Sequence, residues 1–217
     1  PSVGGVIAAF RTHLGGPPRR LRLAPWTMTM GARLGDLVSR FGWSPPVRTT
    51  ALVEMRRGVS GNPDDWIGAT GIEPLSLMRI LARQPATIQE KWFARLYLVK
   101  PLAIGSLALF WIASGLIALT ASFDAAVSIL TGHGFAPLLA KAITVISSIA
   151  DILVGTAILW RKHCRMGLIA GVALSLFYMA TAAVITPSLW LEPLGALVKT
   201  APAIVLMLVA LAILDER

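Results

Sequence analysis

The residue whose chemistry most needs explaining is Asp151, the one ionisable side chain deep inside a long apolar run. A carboxylate at the centre of a membrane helix costs about 2.5–3.5 kcal/mol on insertion scales, so it calls for partners or a purpose. Helical spacing offers neighbours. Ser148 and Ser147 lie three and four residues before it, Thr144 seven before and Gly155 four after, which gathers polar and small residues on one helix face. Two readings follow. Asp151, with Thr144, Ser147 and Ser148, forms an intramembrane site for a proton or a polar ligand; or a protonated or serine-capped Asp151 makes an interhelical hydrogen bond. Lys141 precedes it by about 15 Å of helix, and Lys199 should lie at a similarly shallow depth, so neither neutralises it easily. Ser106, Ser114, Ser175, Tyr178 and Thr181 are the candidate partners on other spans.

Other chemistries lack their residues. Cys164 is the single cysteine, which excludes a disulfide relay. A membrane haem would need axial ligands on the spans, whereas His133 and His163 fall in expected loops and His13 in the N-terminal half. The sequence therefore offers no catalytic, metal-ligating or cofactor-binding residue. The calculated isoelectric point of about 10.8 raises the question of nucleic acid. No zinc-finger, RNA-recognition or basic-zipper pattern accompanies it, and the basic residues flank hydrophobic spans, so anionic lipid is the expected partner rather than nucleic acid.

The elements that must position Asp151 are apolar segments long enough to cross a bilayer, which takes about 20 residues. Four qualify: about Leu98–Ala121, Pro137–Trp160, Met166–Thr186 and Leu194–Leu214. The charge is divided unequally. Residues 1–100 hold fourteen Lys and Arg against six acids, a net charge of +8, and residues 101–217 hold six against five, +1. Lys91, Arg95 and Lys100 precede the first span, and Arg161, Lys162 and Arg165 separate the second from the third. The 122–136 and 186–193 connections carry no base. Basic flanks stay cytoplasmic, so both termini are expected on the cytoplasmic side of a bacterial inner membrane. Gly167 and Gly171 form a small-x-x-x-small pair suited to close helix packing.

Upstream, Thr87 and Glu90 have the spacing of a capping box, which predicts a helix beginning there. Ile88, Trp92, Leu96 and Val99 form an apolar stripe, and Lys91, Trp92, Arg95 and Tyr97 are residue types that anchor an interfacial helix. The alternative is a soluble amphipathic helix packed on its own domain. Pro101 should kink or restart the helix as it enters the bilayer. Residues 1–84 are rich in turn signals, with two short helical patterns at about Met30–Phe41 and Pro74–Ala82, and too little continuous apolar sequence for a large core of their own. The start at Pro1, with no initiator methionine or secretion signal, leads us to expect further sequence upstream.

The strings Phe41-Gly42-Trp43-Ser44-Pro45-Pro46, Arg48-Thr49-Thr50-Ala51, Arg57-Gly58, Asp64-Asp65-Trp66, Thr70-Gly71-Ile72 and Gln89-Glu90-Lys91-Trp92-Phe93-Ala94-Arg95-Leu96-Tyr97, followed by Lys100-Pro101, resemble the tail of bacterial fusions. In those, an atypical short-chain dehydrogenase/reductase precedes a DoxX-like membrane domain. The resemblance implies the substrate-side end of a reductase at residues 1–84, a linker helix at 85–97 and a DoxX-like four-helix domain at 98–217. It carries over no catalytic residue, because Gly4-Gly5 is not a dinucleotide fingerprint and neither Tyr97 nor Tyr178 is followed four residues later by lysine. NAD(P) would then bind only to a missing upstream domain.

The expected fold is mainly α: a polytopic membrane four-helix bundle with a small, mixed, partial cytoplasmic region. The leading functional expectation is a non-catalytic anchor or subunit for a fused or separate reductase module. A small transporter or lipid or small-molecule binder built on Asp151 is the alternative, and a truncated NAD(P)-dependent reductase fusion a third. A homo-oligomer is compatible with any of these.

Overall fold

The computed structural model describes residues 2–17, 24–58, 61–187, 190 and 197–214. These divide into two units: Pro1–Arg40 with Ser44–Leu98, and Phe41–Trp43 with Val99–Arg217.

The first unit contains six helices: α1 (Val3–His13), α2 (Pro25–Ser39), α3 (Thr49–Arg57), α4 (Asp64–Thr70), α5 (Leu77–Arg83) and α6 (Ile88–Leu96). Their starts follow local chemistry. The Ser2 side chain accepts from the Gly5 amide, Pro25 occupies the first turn of α2, and Ser76 accepts from the Arg79 amide. The predicted capping box is present: Thr87 N donates to Glu90 Oε2 over 2.7 Å, and Glu90 N donates to Thr87 Oγ1 over 3.3 Å. Two expectations are corrected. Among the described residues no strand occurs, so the region is helical rather than mixed. The patterns at Met30–Phe41 and Pro74–Ala82 correspond to α2 and α5, and helices also form where the sequence showed no pattern, because α1, α3 and α4 bury no residue and so need no apolar stripe. Packing concentrates at α2 and α3. Gly35 is buried, and a Cβ there would run into the Val47 carbonyl. Asp36 joins the two helices by accepting from Thr49 Oγ1 at 2.7 Å, Thr49 N at 3.3 Å and Arg48 Nε at 3.4 Å.

The second unit holds the apolar helices α7 (Val99–Leu119), α8 (Phe123–Gly132), α9 (Pro137–Leu159), α10 (Cys164–Ile185) and α11 (Thr200–Ala212). Pro101 sits in the first turn of α7, and Tyr97 and Leu98 separate α6 from α7, so the helix restarts there as expected. Among the described residues, three helices are long and apolar enough to cross a bilayer: the one ending at Leu119, α9 and α10. The fourth expected span differs. Residues 194–196 lie outside the described part, and α11 starts only at Thr200 and runs for 13 residues. Pro202 explains the start. It fits the first turn, where its missing N–H costs nothing, but inside a longer helix it would clash with the Val198 carbonyl. The 122–136 loop is also corrected, since most of it is the apolar helix α8, with Asp124 in the first turn and Gly134 at φ +90° beyond its end.

One core joins four of these helices: Ile104, Leu107, Ala108 and Trp111 from α7, Val154 and Ile158 from α9, Cys164 and Leu168 from α10, and Met207 and Ala210 from α11. Glycines set the spacing. A Cβ at Gly155 would lie 2.6 Å from Ile112 Cγ1 and 2.9 Å from the Ala108 carbonyl, and one at Gly115 would meet the Ser148 carbonyl, so α7 and α9 touch backbone to backbone. The expected Gly167/Gly171 pair packs closely too, Gly167 on the end of α9 and Gly171 against Met207 and Trp111. Large side chains such as Leu138 and Val184 point outward, 82% and 83% exposed, as a lipid-facing surface requires.

Phe41–Trp43 is part of this unit. Trp43 Nε1 donates to the Leu159 carbonyl at 2.7 Å, and the Arg161 amide donates to the Phe41 carbonyl at 2.9 Å. The Arg161 guanidinium lies 5.4 Å from the Trp43 ring centroid. Arg161 Nη2 and Lys100 Nζ both donate to the Leu214 carbonyl, at 3.2 and 3.0 Å. The start of α7, the α9–α10 turn and the end of α11 therefore share one end of the bundle.

Candidate intramembrane polar site

Asp151 owes its position to the spacing of α9. Thr144, Ser148, Asp151 and Gly155 fall on one face, and all four are buried. That face meets α7 at Gly115, so a chain too close for large side chains brings Ser114 within reach of the carboxylate. Ser114 Oγ donates to Asp151 Oδ2 at 3.4 Å. From α10, Tyr178 OH donates to Asp151 Oδ1 at 3.0 Å. One acid thus ties three helices together. Among the described residues it has no ion-pair partner.

The other predicted members behave differently. The hydroxyls of Ser147 and Ser148 donate to the Thr144 carbonyl at 3.1 and 2.7 Å, and that of Thr144 donates to the Ala140 carbonyl at 2.9 Å. All three satisfy their own helix rather than Asp151, whose serine hydrogen bond comes instead from Ser114 on α7. A serine or threonine inside a helix finds a carbonyl one turn back without any tertiary contact, and that local bond wins here. Ser147 still contributes its backbone carbonyl, 3.3 Å from Tyr178 OH. Of the partners considered from sequence, Ser114 and Tyr178 bind, whereas Ser106 donates to its own helix at Ala103. Nothing in the sequence selected those two, because they lie 37 residues before and 27 after Asp151 and meet it only through packing.

Tyr178 also faces a cavity of about 250 Å³ lined by Leu130 of α8, Thr181, Ala182, Ile185 and Thr186 of the α10 end, and Leu197. The lining is apolar apart from the hydroxyls of Tyr178, Thr181 and Thr186. The phenol is shared between this cavity and the carboxylate. It has one proton and two acceptors within hydrogen-bond distance, Asp151 Oδ1 and the Ser147 carbonyl. With Asp151 ionised, Tyr178 donates to it. With Asp151 protonated, the carboxyl donates to the phenol oxygen and Tyr178 turns its proton to Ser147.

On α7, Trp111 Nε1 lies one turn before Ser114, buried and with no hydrogen-bond partner among the described residues. No group of three His, Cys, Asp or Glu side chains able to hold a metal occurs among the described residues. The residues expected to anchor an interfacial helix lie on α6 and its C-cap. Trp92 and Arg95 are exposed, Lys91 and Tyr97 half-buried, and Tyr97 stacks edge-on against Phe93 with centroids 5.8 Å apart.

Residues 108–208 match the DoxX-like family, a stretch that includes Ser114, Asp151 and Tyr178. The match begins within α7 and covers none of the basic N-terminal region. Neither the curated proteins nor the solved structures contain a match to the chain. The match to the DoxX-like family and the long apolar helices together point to a membrane protein.

Proposed function

We propose that the bundle is a proton-linked binder of a small, mostly apolar molecule with one polar end, built on Asp151 and Tyr178. The observation that carries this reading is the double placement of Tyr178: its hydroxyl bonds Asp151, the one buried acid among the described residues, and its side chain lines the adjoining cavity. A cavity of about 250 Å³ is below the usual range for drug-sized ligands, which favours a small guest. A ligand's hydroxyl or carbonyl would meet Tyr178 and Thr181, and any exchange of protons with it would be felt at Asp151. In this reading α11 is the fourth helix of the bundle, and both termini are cytoplasmic in a bacterial inner membrane, because Lys100 and Arg161 converge at one end of the bundle.

The test uses the full chain in lipid nanodiscs with 1-naphthol, a small aromatic alcohol, as probe. Infrared difference spectra should show a carboxylic C=O band that titrates with pH, is absent in Asp151→Asn, and moves when 1-naphthol is added. Tyr178→Phe should remove the movement. A band indifferent to 1-naphthol, or saturable 1-naphthol binding unchanged in both variants, refutes the reading.

A second reading, an anchor for a reductase-type module, draws on Phe41–Trp43. This tripeptide belongs to the apolar unit although its sequence neighbours do not, and within that unit Trp43 Nε1 donates to the Leu159 carbonyl. Under this reading Asp151→Asn leaves the location and partners of the protein intact.

A further inference from the structure

Helix α2 carries two apolar faces, and only one of them is packed. Ala32 and Gly35 are buried, and Asp36 is bonded to Thr49, so that side of the helix rests on the segment leading into α3. At about 100° per residue, Met30 lies about 160° round from Ala32 and about 140° from Gly35, on the opposite side. With Trp26, Leu34 and Leu37 it makes a stripe at i, i+4, i+8 and i+11. Trp26 is 66% exposed and the other three about half exposed. A contiguous apolar face of this kind marks a surface that something covers. Arg33 and Arg40 follow Trp26 by seven and fourteen residues, which sets them about 20° and 40° round from it, along one edge of the stripe. Both are exposed, and neither forms an ion pair among the described residues.

The chain brings this stripe to a bilayer. α2 ends at Ser39, Arg40 follows, and the next residue, Phe41, already belongs to the apolar unit, where its carbonyl accepts from the Arg161 amide just beyond α9. A helix that crosses a membrane ends at its surface, so the covalent path from that surface to the end of α2 is a residue or two long. A tryptophan, a run of apolar side chains and arginines that can snorkel to phosphates are what a helix lying in the interface needs. A second copy of the chain is a poorer cover, because it would set the Arg33–Arg40 edge, and the net charge of +8 on residues 1–100, against their equals. We propose that α2 is a membrane-surface helix that lies in the plane of a leaflet containing anionic phospholipid. Trp26, Met30, Leu34 and Leu37 enter the upper acyl chains, and Arg33 and Arg40 meet the phosphates. This surface is independent of Asp151 and of the proton-linked reading.

A basic residue near a membrane surface contributes roughly a fivefold preference for anionic lipid, so Arg33 and Arg40 together should give about 25-fold. The experiment uses the full chain in phosphatidylglycerol nanodiscs, with a nitroxide attached to Met30→Cys, to Leu34→Cys or, as control, to Glu54→Cys on the exposed side of α3. Cys164 is fully buried and out of the label's reach. Collisions with oxygen, which concentrates in lipid, and with a water-soluble nickel complex report where each label sits. The Met30 and Leu34 positions should favour oxygen, and the Glu54 position nickel. In phosphatidylcholine nanodiscs, or with Arg33→Gln and Arg40→Gln added, the ratio of lipid-immersed to water-exposed label should fall roughly 25-fold. The lipid exchange leaves the chain unaltered, so it separates a lost charge contact from a misfolded variant. Equal nickel access at all three positions would overturn the proposal. So would exclusion of both reagents from the Met30 and Leu34 positions, which means a protein cover, or spin–spin broadening there that vanishes on dilution with unlabelled chain, which means a second copy. Immersion indifferent both to lipid charge and to the two arginines would overturn it as well.

Discussion

Gly155→Ala is the sharpest probe of how α7 and α9 hold the site. The added Cβ would lie 2.6 Å from Ile112 Cγ1, 2.8 Å from Ile112 N and 2.9 Å from the Ala108 carbonyl oxygen. Ordinary contact needs about 3.5 Å, so the shortfall is at least about half an ångström against backbone atoms that cannot rotate aside. The helices must separate, and overpacking of this kind costs about 1–3 kcal/mol. Separation also stretches the Ser114–Asp151 bond, already 3.4 Å long, which adds roughly 0.6 kcal/mol. Against this, alanine gains about 0.5–1 kcal/mol over glycine within a helix. The net loss is about 1–3 kcal/mol, or a fall of roughly 2–10 °C in melting temperature for a chain of this size. Gly105→Ala is the control, since a Cβ there meets nothing within 4 Å, so the helix gain should appear alone as a small rise. The readout is built in: Cys164 is the single cysteine and fully buried, so maleimide labelling on heating follows opening of the core. Labelling of Gly155→Ala at the wild-type temperature or above, or an equal loss of stability in Gly105→Ala, would refute the reasoning.

Tyr178→Phe should cost more than Ser114→Ala, each about 0.6 kcal/mol and at most about 1.7, because the phenol bond is the shorter of the two; the reverse order in the same labelling assay would contradict the geometry. Trp43→Phe removes the donor to Leu159 and weakens the Arg161 stack, at about 1–2 kcal/mol, so hydrogen exchange at the Arg161 amide, which is bonded to Phe41, should quicken roughly 5- to 30-fold; unchanged exchange would count against the clamp. The Thr49 hydroxyl, helped by the Thr49 amide and Arg48, holds the Asp36 carboxyl below its ordinary value of 3.8. A lowered folded value means that Asp36 contributes stability above the ordinary value and loses it as pH falls through the lowered one. An NMR titration of the carboxyl should place its midpoint below 3.8 in the wild type and higher in Thr49→Ala than in the wild type.

Sequence alone determined the apolar segments at 99–119, 137–159 and 164–185, because in lipid every peptide group must be bonded within its own helix and an unbroken apolar run has few other uses. It also determined the Thr87–Glu90 cap and the polar face of α9, since a cap reaches three residues along the chain and a helix face repeats within four. The short helices α1, α3 and α4, and α8, escaped because they bury no residue. Pro202, read in isolation, did not reveal where α11 begins. The partners of Asp151 and the inclusion of Phe41–Trp43 in the apolar unit were decided by tertiary structure alone. Each depends on which residues, dozens of positions apart, are brought together when glycines let helix backbones meet, and the sequence contains no local record of that distance.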